Sequence, residues 1–265
     1  MGKIGLIAGE GQLPVEFLRA ARAKGEKVVV FAIKGMADAS IDKEADKVYW
    51  IEVREYGKSV FIVMKEGIKH LVFLGKIKKK AIYEEKFDNE GKKALKGLSN
   101  KKDTSFFKEA ERRLKIMGID VMSAADHLSH LLPEKGVLTQ KGADEKTNAD
   151  MVFGYETAKA LAGMDVGQTV IVKEGNIVAV EAMEGTDATI TRGREIAGNG
   201  CIMVKVARPV QDMRWDVPTV GPDTMVKLME NGYAAIAIEA GRMYLVEKER
   251  FLQMADAAGI VVKVI

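Results

Sequence analysis

Three carboxylates lie close together in the stretch EAMEGTD, residues 181–187, where a predicted strand turns into a predicted helix. Acidic groups at this spacing repel one another unless a cation or hydrogen-bond donors offset their charge, and their oxygens suit a hard ion such as Mg²⁺. The three acids of this turn, among them Glu184 and Asp187, are candidates for binding a metal or the substrate, and Arg192 and Arg194 follow in the helix. Thr186 or Asp187 alone would equally serve as the helix N-cap, so a site and a simple cap both stay open.

A second charged group lies in QDMRWDVPT, residues 211–219. Pro218 favours an extended backbone before it, and an extended segment would place Asp212, Arg214 and Asp216 on one face because side chains alternate along a strand. The two acids would then be about 13 Å apart, with the guanidinium between them. A surface ladder of ion pairs is the simpler interpretation, but the glycine turn and helix that follow favour a ligand site.

A glycine turn, GEGQLP, follows the first predicted strand. It begins like a dinucleotide fingerprint, but Pro14 replaces the glycine that lets the helix pack closely on its strand, which argues against an NAD site. Gly9 and Gly11, followed by a helix N-terminus, suit a phosphate or nucleotide. An ordinary strand-to-helix turn with a proline in the first helical turn fits as well. Gly75 and Lys76 follow a later strand and could also reach a phosphate, although a basic run such as 76–80 is more often a solvated face.

Two different patterns of strands and helices position these residues. The first half alternates short apolar runs with helical patterns, which predicts a parallel sheet covered by helices, a Rossmann-like α/β domain. After a polar stretch, the second half contains a hairpin signature, KEGN, and strands of mixed direction. We therefore predict an α/β protein with a Rossmann-like N-terminal domain over 1–132, a linker over 133–148 and a distinct C-terminal α/β domain with a mixed sheet over 149–265.

Composition excludes several classes of protein. A net charge of +3 is too small for a nucleic-acid protein held by a broad basic field. One cysteine excludes an intrachain disulfide and a cysteine-cluster zinc site, which fits a reducing compartment. The N-terminus lacks the apolar core of a signal peptide, and no stretch approaches the ~20 apolar residues of a membrane helix. There is no G-x-S-x-G elbow for a serine nucleophile. We expect a cytoplasmic enzyme.

Several long motifs in one order resemble the LpxI family, the UDP-2,3-diacylglucosamine pyrophosphatases of lipid A synthesis. The resemblance extends along essentially the whole chain. The motifs that carry it are GLIAGEGQLP (5–14), DVGQ (165–168), AVEAMEGTDA (179–188), KVARPVQDMRWDVPTVGPDT (205–224) and EAG (239–241).

The resemblance implies Mg²⁺-dependent hydrolysis of UDP-2,3-diacylglucosamine to UMP and 2,3-diacylglucosamine 1-phosphate, at a site between the two domains. In that family one aspartate of the D-x-P-T-x-G motif is essential, and it falls on Asp216. Together with the charged clusters described above, this chemistry suggests catalytic roles for Asp216, Asp212, Asp187, Glu184 and Lys205, with Asp216, Asp187 and Glu184 as metal ligands. Together with the patterns above, the resemblance places substrate contacts at Gly9, Gly11, Gln12, Gly75, Lys76, Asp103, Gln168, Thr186, Arg192, Gln211, Arg214, Thr219 and Glu239.

The expected partner is therefore a UDP-linked diacylated glucosamine, and we expect no binding to nucleic acid. The resemblance also leaves room for peripheral contact at the inner face of the membrane and for a homodimer. A protein that binds a nucleotide sugar or lipid phosphate without catalysis is the alternative, since it would keep both glycine turns but would not need a carboxylate cluster. An NAD-dependent oxidoreductase is a third interpretation, which Pro14 disfavours.

Overall fold

The computed structural model of the protein describes residues 3–77, 88–96, 103–215 and 217–265, apart from the side chains of 93–96 and 103–108. The chain forms two compact units. The first unit comprises residues 1–129 and 213–216, and the second comprises 130–212 and 217–265. In the described parts of the chain, no helix has both the length and the apolar character needed to cross a bilayer.

The first unit contains a five-stranded parallel sheet of order β3-β2-β1-β4-β5. The predicted Rossmann-like parallel sheet is therefore confirmed. Strand β2, with the sequence VVVFAI, is buried along its whole length, as is typical of a strand covered on both faces. The strands are β1 (Ile4–Ala8), β2 (Val28–Ile33), β3 (Lys47–Ile51), β4 (His70–Leu74) and β5 (Asp120–Val121).

Helices flank this sheet. Helix α1 follows the first glycine turn with Pro14 in its first turn, and it buries an apolar face that includes Val15, Phe17 and Leu18. A proline fits there because the first helical N–H groups have no partner within the helix. The helices of this unit are α1 (Leu13–Ala23), α2 (Ile41–Glu44), α3 (Tyr56–Lys65), α4 (Asn89–Lys96) and α5 (Asp103–Ile116).

Residues 213–215, from the C-terminal half of the sequence, complete the core of the first unit. Trp215 is 5 % exposed and packs on Phe73, with 4.5 Å between the ring centroids. The Ser123 hydroxyl donates to the Met213 carbonyl at 3.4 Å. The chain turns at 213–214, so the predicted extended segment with alternating acids is wrong. Pro218 restricts only Val217, the residue before it, so burial of the tryptophan ring is free to set the course of the chain at 213–215.

A carboxylate of the first unit, Glu66, accepts hydrogen bonds from three side chains. The donors are Lys47 and Tyr49, both at 2.6 Å, and Lys3 at 3.2 Å. The hydrogen bond from Lys47, followed by that from Tyr49, lowers the pKa of Glu66 from its ordinary 4.5 to about 2. The carboxylate therefore stays ionised in the folded protein at pH values where the unfolded chain would protonate it.

The second unit contains a six-stranded mixed sheet of order β6-β13-β11-β9-β7-β8, as predicted for the C-terminal half. Strands β9, β11 and β13 are parallel, whereas β7 is antiparallel to both of its neighbours. Glu174 and Gly175 join β7 to β8 with φ of 50° and 73°, as the predicted hairpin requires. The strands are β6 (Gly136–Val137), β7 (Thr169–Lys173), β8 (Asn176–Val180), β9 (Ile202–Lys205), β11 (Ala235–Ile238) and β13 (Val261–Val264), with β10 (Thr219–Val220) and β12 (Tyr244–Leu245) forming a separate parallel pair.

Helices cover both faces of the second sheet. Helix α6 (Glu145–Gly163) packs on one face, and α7 (Thr186–Ala197), α8 (Pro222–Glu230) and α9 (Lys248–Ala258) pack on the other. Gly154 lets α6 lie close to the sheet, because a Cβ there would be 2.6 Å from a methyl group of Val204. The stretch 133–148, predicted as a linker, falls within this unit: it contains β6, which pairs with β13, and the start of α6.

Candidate functional site

One edge of the second sheet gathers the polar residues that the sequence singled out. Because β7 runs antiparallel between β8 and β9, its amino end lies beside their carboxyl ends, and β11 ends at the same edge. Gln168 precedes β7, Glu181 follows β8, Lys205 ends β9 and Glu239 follows β11. Open α/β sheets bind ligands outside the carboxyl ends of their strands. This edge is therefore the candidate site of the second unit.

On the face covered by α7, three side chains form a hydrogen-bonded chain. The Lys205 ammonium donates to the Thr186 hydroxyl at 3.1 Å, and that hydroxyl donates to Oε1 of Glu181 at 2.9 Å. These residues come from β9, from the start of α7 and from the turn after β8. Two predicted site residues, Lys205 and Thr186, thus lie together. Glu181, which the predicted set of site residues omits, fixes the hydroxyl between them.

Two buried oxygens beside this chain have no hydrogen-bond partner among the described residues: Oε2 of Glu181 and the hydroxyl of Thr169. Thr169 is paired with Lys205 between strands β7 and β9. On the other side of β7, Val170 is paired with Val180 of the antiparallel strand β8, so Thr169 lies next to Glu181. Leaving a buried polar group unpaired costs about 1–3 kcal/mol, so such groups are commonly completed by water, an ion or a ligand. The sequence signal for Glu181 was its position as the first acid of the acidic turn.

The rest of the acidic turn divides into a paired and an exposed carboxylate. Glu184 binds Arg192 at 2.8 Å and also accepts from the Ala182 amide at 3.1 Å. Asp187 is exposed in the first turn of α7. Gly185 is the N-cap of this helix and no side chain caps it, so the alternative in which Thr186 or Asp187 caps α7 is wrong. The Thr186 hydroxyl is instead used by the chain to Lys205.

Of the three predicted metal ligands, the described part of the chain includes only Glu184 and Asp187. Among the described residues, no three His, Cys, Asp or Glu side chains are placed so that they could hold a metal ion together. The predicted ligand Asp216 lies outside the described residues. Oxygen donors that suit Mg²⁺ are nevertheless present, since Asp187 is exposed and Glu181 keeps one buried oxygen unpaired. Glu184 fits the role less well because Arg192 occupies it.

The loop after β9 carries further predicted residues. Gln168 donates to the side-chain oxygen of Gln211 at 3.2 Å, so these two predicted contacts lie together. Asp212 is exposed. Arg214 instead lies in the first unit, where it makes a two-pronged ion pair with Glu111.

Two other predicted contacts are bound internally. Thr219 donates its hydroxyl to the Val217 carbonyl at 3.0 Å. Glu239 is 6 % exposed, and its oxygens accept from the Ala207 amide at 2.8 Å and from Lys159 at 2.9 and 3.1 Å. Burial, and then the charge of Glu239, raise the pKa of the neighbouring Tyr155. Glu239 thus acts on the protein's own backbone and on a lysine.

In the first unit, the glycines after β1 and β4 bring two loops together. The amides of Glu10 and Lys76 donate to each other's carbonyls, both at 2.9 Å. A Cβ on Gly9 would be 2.6 Å from the Lys76 carbonyl oxygen, and one on Gly75 would be 2.7 Å from the Gly9 carbonyl carbon. The space beside Gly9 that was predicted to admit a phosphate is therefore filled by the neighbouring loop.

The remaining predicted residues of the first unit lie nearby or outside the described side chains. Gly11 has φ of +103° and open space where a Cβ would be, so its backbone conformation requires glycine. Gln12 donates to Asp38 at 3.3 Å. Hydrogen bonds from Ser40, and to a smaller extent from Gln12, lower the pKa of Asp38. Asp103 begins α5, and its side chain is not among those described.

Comparison with known proteins identifies related sequences over both halves of the chain. Sequence models of the LpxI N-terminal domain and the LpxI C-terminal domain match residues 3–131 and 134–263. A relative from Caulobacter vibrioides, named UDP-2,3-diacylglucosamine pyrophosphatase LpxI, is 30% identical over 276 residues, which cover 99% of this chain and 97% of the relative.

Similarity to solved structures is weak. The biotin carboxylase subunit of pyruvate carboxylase gives a TM-score of 0.30 at 14% identity, over 68% of this chain and 36% of that one. Glycinamide-RNase-transformylase T from Mycobacterium tuberculosis gives 0.25 at 17% identity, over 68% and 44%. The chain thus spans less than half the length of these proteins, and at such scores nothing about fold or function follows from the likeness.

Proposed function

The chain belongs to the LpxI family, and from this we infer that it hydrolyses the pyrophosphate bond of UDP-2,3-diacylglucosamine. The observation that carries the proposal is the near full-length match to a relative named for that activity. Water adds across the P–O–P linkage, so UMP and 2,3-diacylglucosamine 1-phosphate each keep one phosphate.

The carboxyl edge of the second sheet supplies side chains that suit this reaction. Lys205, held by Thr186, supplies a positive charge for phosphate oxygens. The Thr186 hydroxyl donates its proton to Glu181, so its oxygen faces the Lys205 ammonium and holds it in one place. Such preorganised charge stabilises the transition state more than flexible charge does, since little reorganisation is needed during the reaction.

We further propose that activity requires Mg²⁺, which would neutralise charge on the pyrophosphate oxygens. Asp187 and the predicted ligand Asp216 are the carboxylates to which we assign it, with the unpaired oxygen of Glu181 as an additional donor. Glu184 would have to exchange Arg192 for the ion, so we assign it the weakest part in metal binding.

The direct test measures UMP release from UDP-2,3-diacylglucosamine in detergent micelles by chromatography. We expect release in the presence of Mg²⁺, its loss after dialysis against a chelator, and its return when Mg²⁺ is added back. Full-rate turnover after chelation would disprove the metal requirement alone. Substrate binding without UMP release would favour the non-catalytic binding protein, and a thermal shift with NAD would favour the oxidoreductase.

Peripheral membrane contact, a homodimer and a need for both halves of the chain also belong to this proposal. Sedimentation with phospholipid vesicles tests the membrane contact, and light scattering during gel filtration tests the dimer. Separate expression of the halves tests their interdependence: residues from about 147 onward should not release UMP by themselves.

A further inference from the structure

The loop after β9, residues 206–212, lacks helix and strand but has its backbone bound at successive positions. The Val206 amide donates to the Gln168 carbonyl at 2.9 Å. The Ala207 amide donates to Glu239 at 2.8 Å, and the Ala207 carbonyl accepts from Lys159 at 3.0 Å. Both backbone groups of Ala207 are therefore held by one ion pair, which joins α6 to the end of β11.

Two arginines extend this arrangement along the loop. Arg242 donates to the carbonyls of Arg208 and Pro209 at 3.1 and 3.0 Å. Arg208 in turn pairs with Asp165, in the loop before β7, at 2.9 Å. Charged side chains thus occupy three consecutive carbonyls, from Ala207 to Pro209, and fix the course of the backbone that leads to Gln211 and Asp212.

Stability alone does not account for the Lys159–Glu239 pair. Glu239 is 6 % exposed and the Lys159 side chain is 22 % exposed, so both ions lose hydration that their attraction often fails to recover, and an apolar pair of similar size commonly serves the fold as well. What an apolar pair does not provide is a donor and an acceptor for the two backbone groups of Ala207. The ion pair also lies close to the candidate site, because Glu239 follows β11, and the adjacent strand β9 ends with Lys205 at the same edge of the sheet.

We propose that Glu239 and Lys159 are positioning residues, which hold the loop after β9 so that Gln211 and Asp212 are placed for the reaction. The proposal rests on the proposed function for the identity of that reaction. Glu239 was predicted to contact the substrate, whereas here it acts through the backbone of Ala207. Lys159, which no sequence motif indicated, joins the residues on which the reaction depends.

Lys159→Met tests the proposal, with Lys173→Met as a matched control. Lys173 donates to the Ala197 carbonyl at 2.7 Å from the other end of β7, so it makes a similar lysine–backbone bond at the opposite edge of the same sheet. We expect Lys159→Met to lose more stability than Lys173→Met, because it leaves the buried Glu239 carboxylate without its ion partner, whereas the control loses one bond to a backbone carbonyl. Only Lys159→Met should lower kcat, by at least about tenfold with KM little changed, because a misplaced group acts mainly in the transition state. Lys159→Arg should recover part of kcat.

The double variant Lys159→Met/Glu239→Gln separates positioning from stability. Removing both charges leaves no unpaired buried ion, so the melting temperature should return toward that of the wild type while kcat stays low. Recovery of kcat together with melting temperature would overturn the proposal, as would equal kcat in Lys159→Met and Lys173→Met.

Amide hydrogen exchange reads the loop independently of activity. In Lys159→Met, exchange at Ala207 should accelerate while amides of the β7–β8 hairpin keep their rates. Unchanged exchange at Ala207 would overturn the proposal even if turnover fell. A wild-type protein that released no UMP would instead disprove the proposed function, and the exchange result would still decide whether the pair orders the loop.

Discussion

Replacing Gly9 with alanine distinguishes two roles for the first glycine turn. If the glycine admits a phosphate, the change should weaken substrate binding. If it admits the neighbouring loop, as the structure shows, the change should destabilise the first unit. The new Cβ would lie 2.6 Å from the Lys76 carbonyl oxygen and 2.9 Å from the Gly75 carbonyl carbon. Both atoms belong to the backbone, so no side chain can rotate away.

The expected loss of stability follows from these contacts. Separating the loops weakens the two hydrogen bonds between Glu10 and Lys76, each with a net contribution of about 1 kcal/mol. Overpacking adds about 1–3 kcal/mol. The lower entropy of the unfolded alanine chain offsets about 0.5–1 kcal/mol. We therefore expect the free energy of unfolding of the first unit to fall by about 2–4 kcal/mol, which corresponds to roughly 6–12 °C in its melting temperature.

Tryptophan fluorescence measures this transition selectively, because both tryptophans of the chain, Trp50 and Trp215, belong to the first unit. Gly25→Ala is the matched control. Gly25 also lies in the first unit, with φ of +70° and nothing within 4 Å of a Cβ. That substitution should cost only about 1 kcal/mol of backbone strain. A Gly9→Ala protein that melts within about 1 °C of the wild type, yet shows a tenfold higher KM, would refute the packing argument.

Three further substitutions test the site and the fold. Asp216→Ala should lower kcat at least ~10²-fold without changing the melting temperature, as loss of a preorganised group does. The control Asp223→Ala, at an exposed position of α8, should keep wild-type kcat. Equal kcat values in the two variants would remove Asp216 from the mechanism. Glu181→Gln should lower kcat at least about tenfold, because it removes the charge of the carboxylate that holds the Thr186 hydroxyl beside Lys205. Its melting temperature should be unchanged or higher, because an amide replaces a buried carboxylate that has one unpaired oxygen. An unchanged kcat would make Glu181 purely structural. Glu66→Gln should lower the urea midpoint of the first unit at pH 7. The difference in midpoint from the wild type should shrink as pH falls from 4.5 toward 2, because Glu66, with its lowered pKa, stabilises the fold only while its carboxylate is ionised. A difference that does not depend on pH would contradict this.

The parts of the fold that the sequence predicts are those governed by local patterns. The continuous apolar run of β2 requires burial on both faces, and the KEGN turn requires two residues with positive φ, so both are found where predicted. Short strands such as β6, with two residues, carry no periodicity and escape prediction. The Lys159–Glu239 pair joins residues 80 positions apart, and no pattern in one sequence indicates such a contact.

The candidate site follows the same division. Lys205 and Thr186 were predicted from motifs, and the ladder from β8 to β9 brings them together. The unpaired oxygen of Glu181 depends on which neighbours the fold supplies, so composition and spacing do not reveal it. Arg214 differs in its surroundings, since an alternating pattern predicted an extended segment, whereas the chain turns at 213–214 and Arg214 pairs with Glu111 in the first unit. Its contact with the substrate stays a prediction.

The two-segment composition of the first unit has a consequence for synthesis on the ribosome. Its core includes Trp215, which is made more than eighty residues after Ser129, where the first segment ends. A nascent chain that has just emerged through residue 129 thus lacks the ring that packs on Phe73. At bacterial translation rates of about 5–20 residues per second, the first unit waits roughly 4–17 s for this residue. During that interval its apolar surface is available to chaperones, and we expect the first unit to reach full stability only after most of the second has been translated.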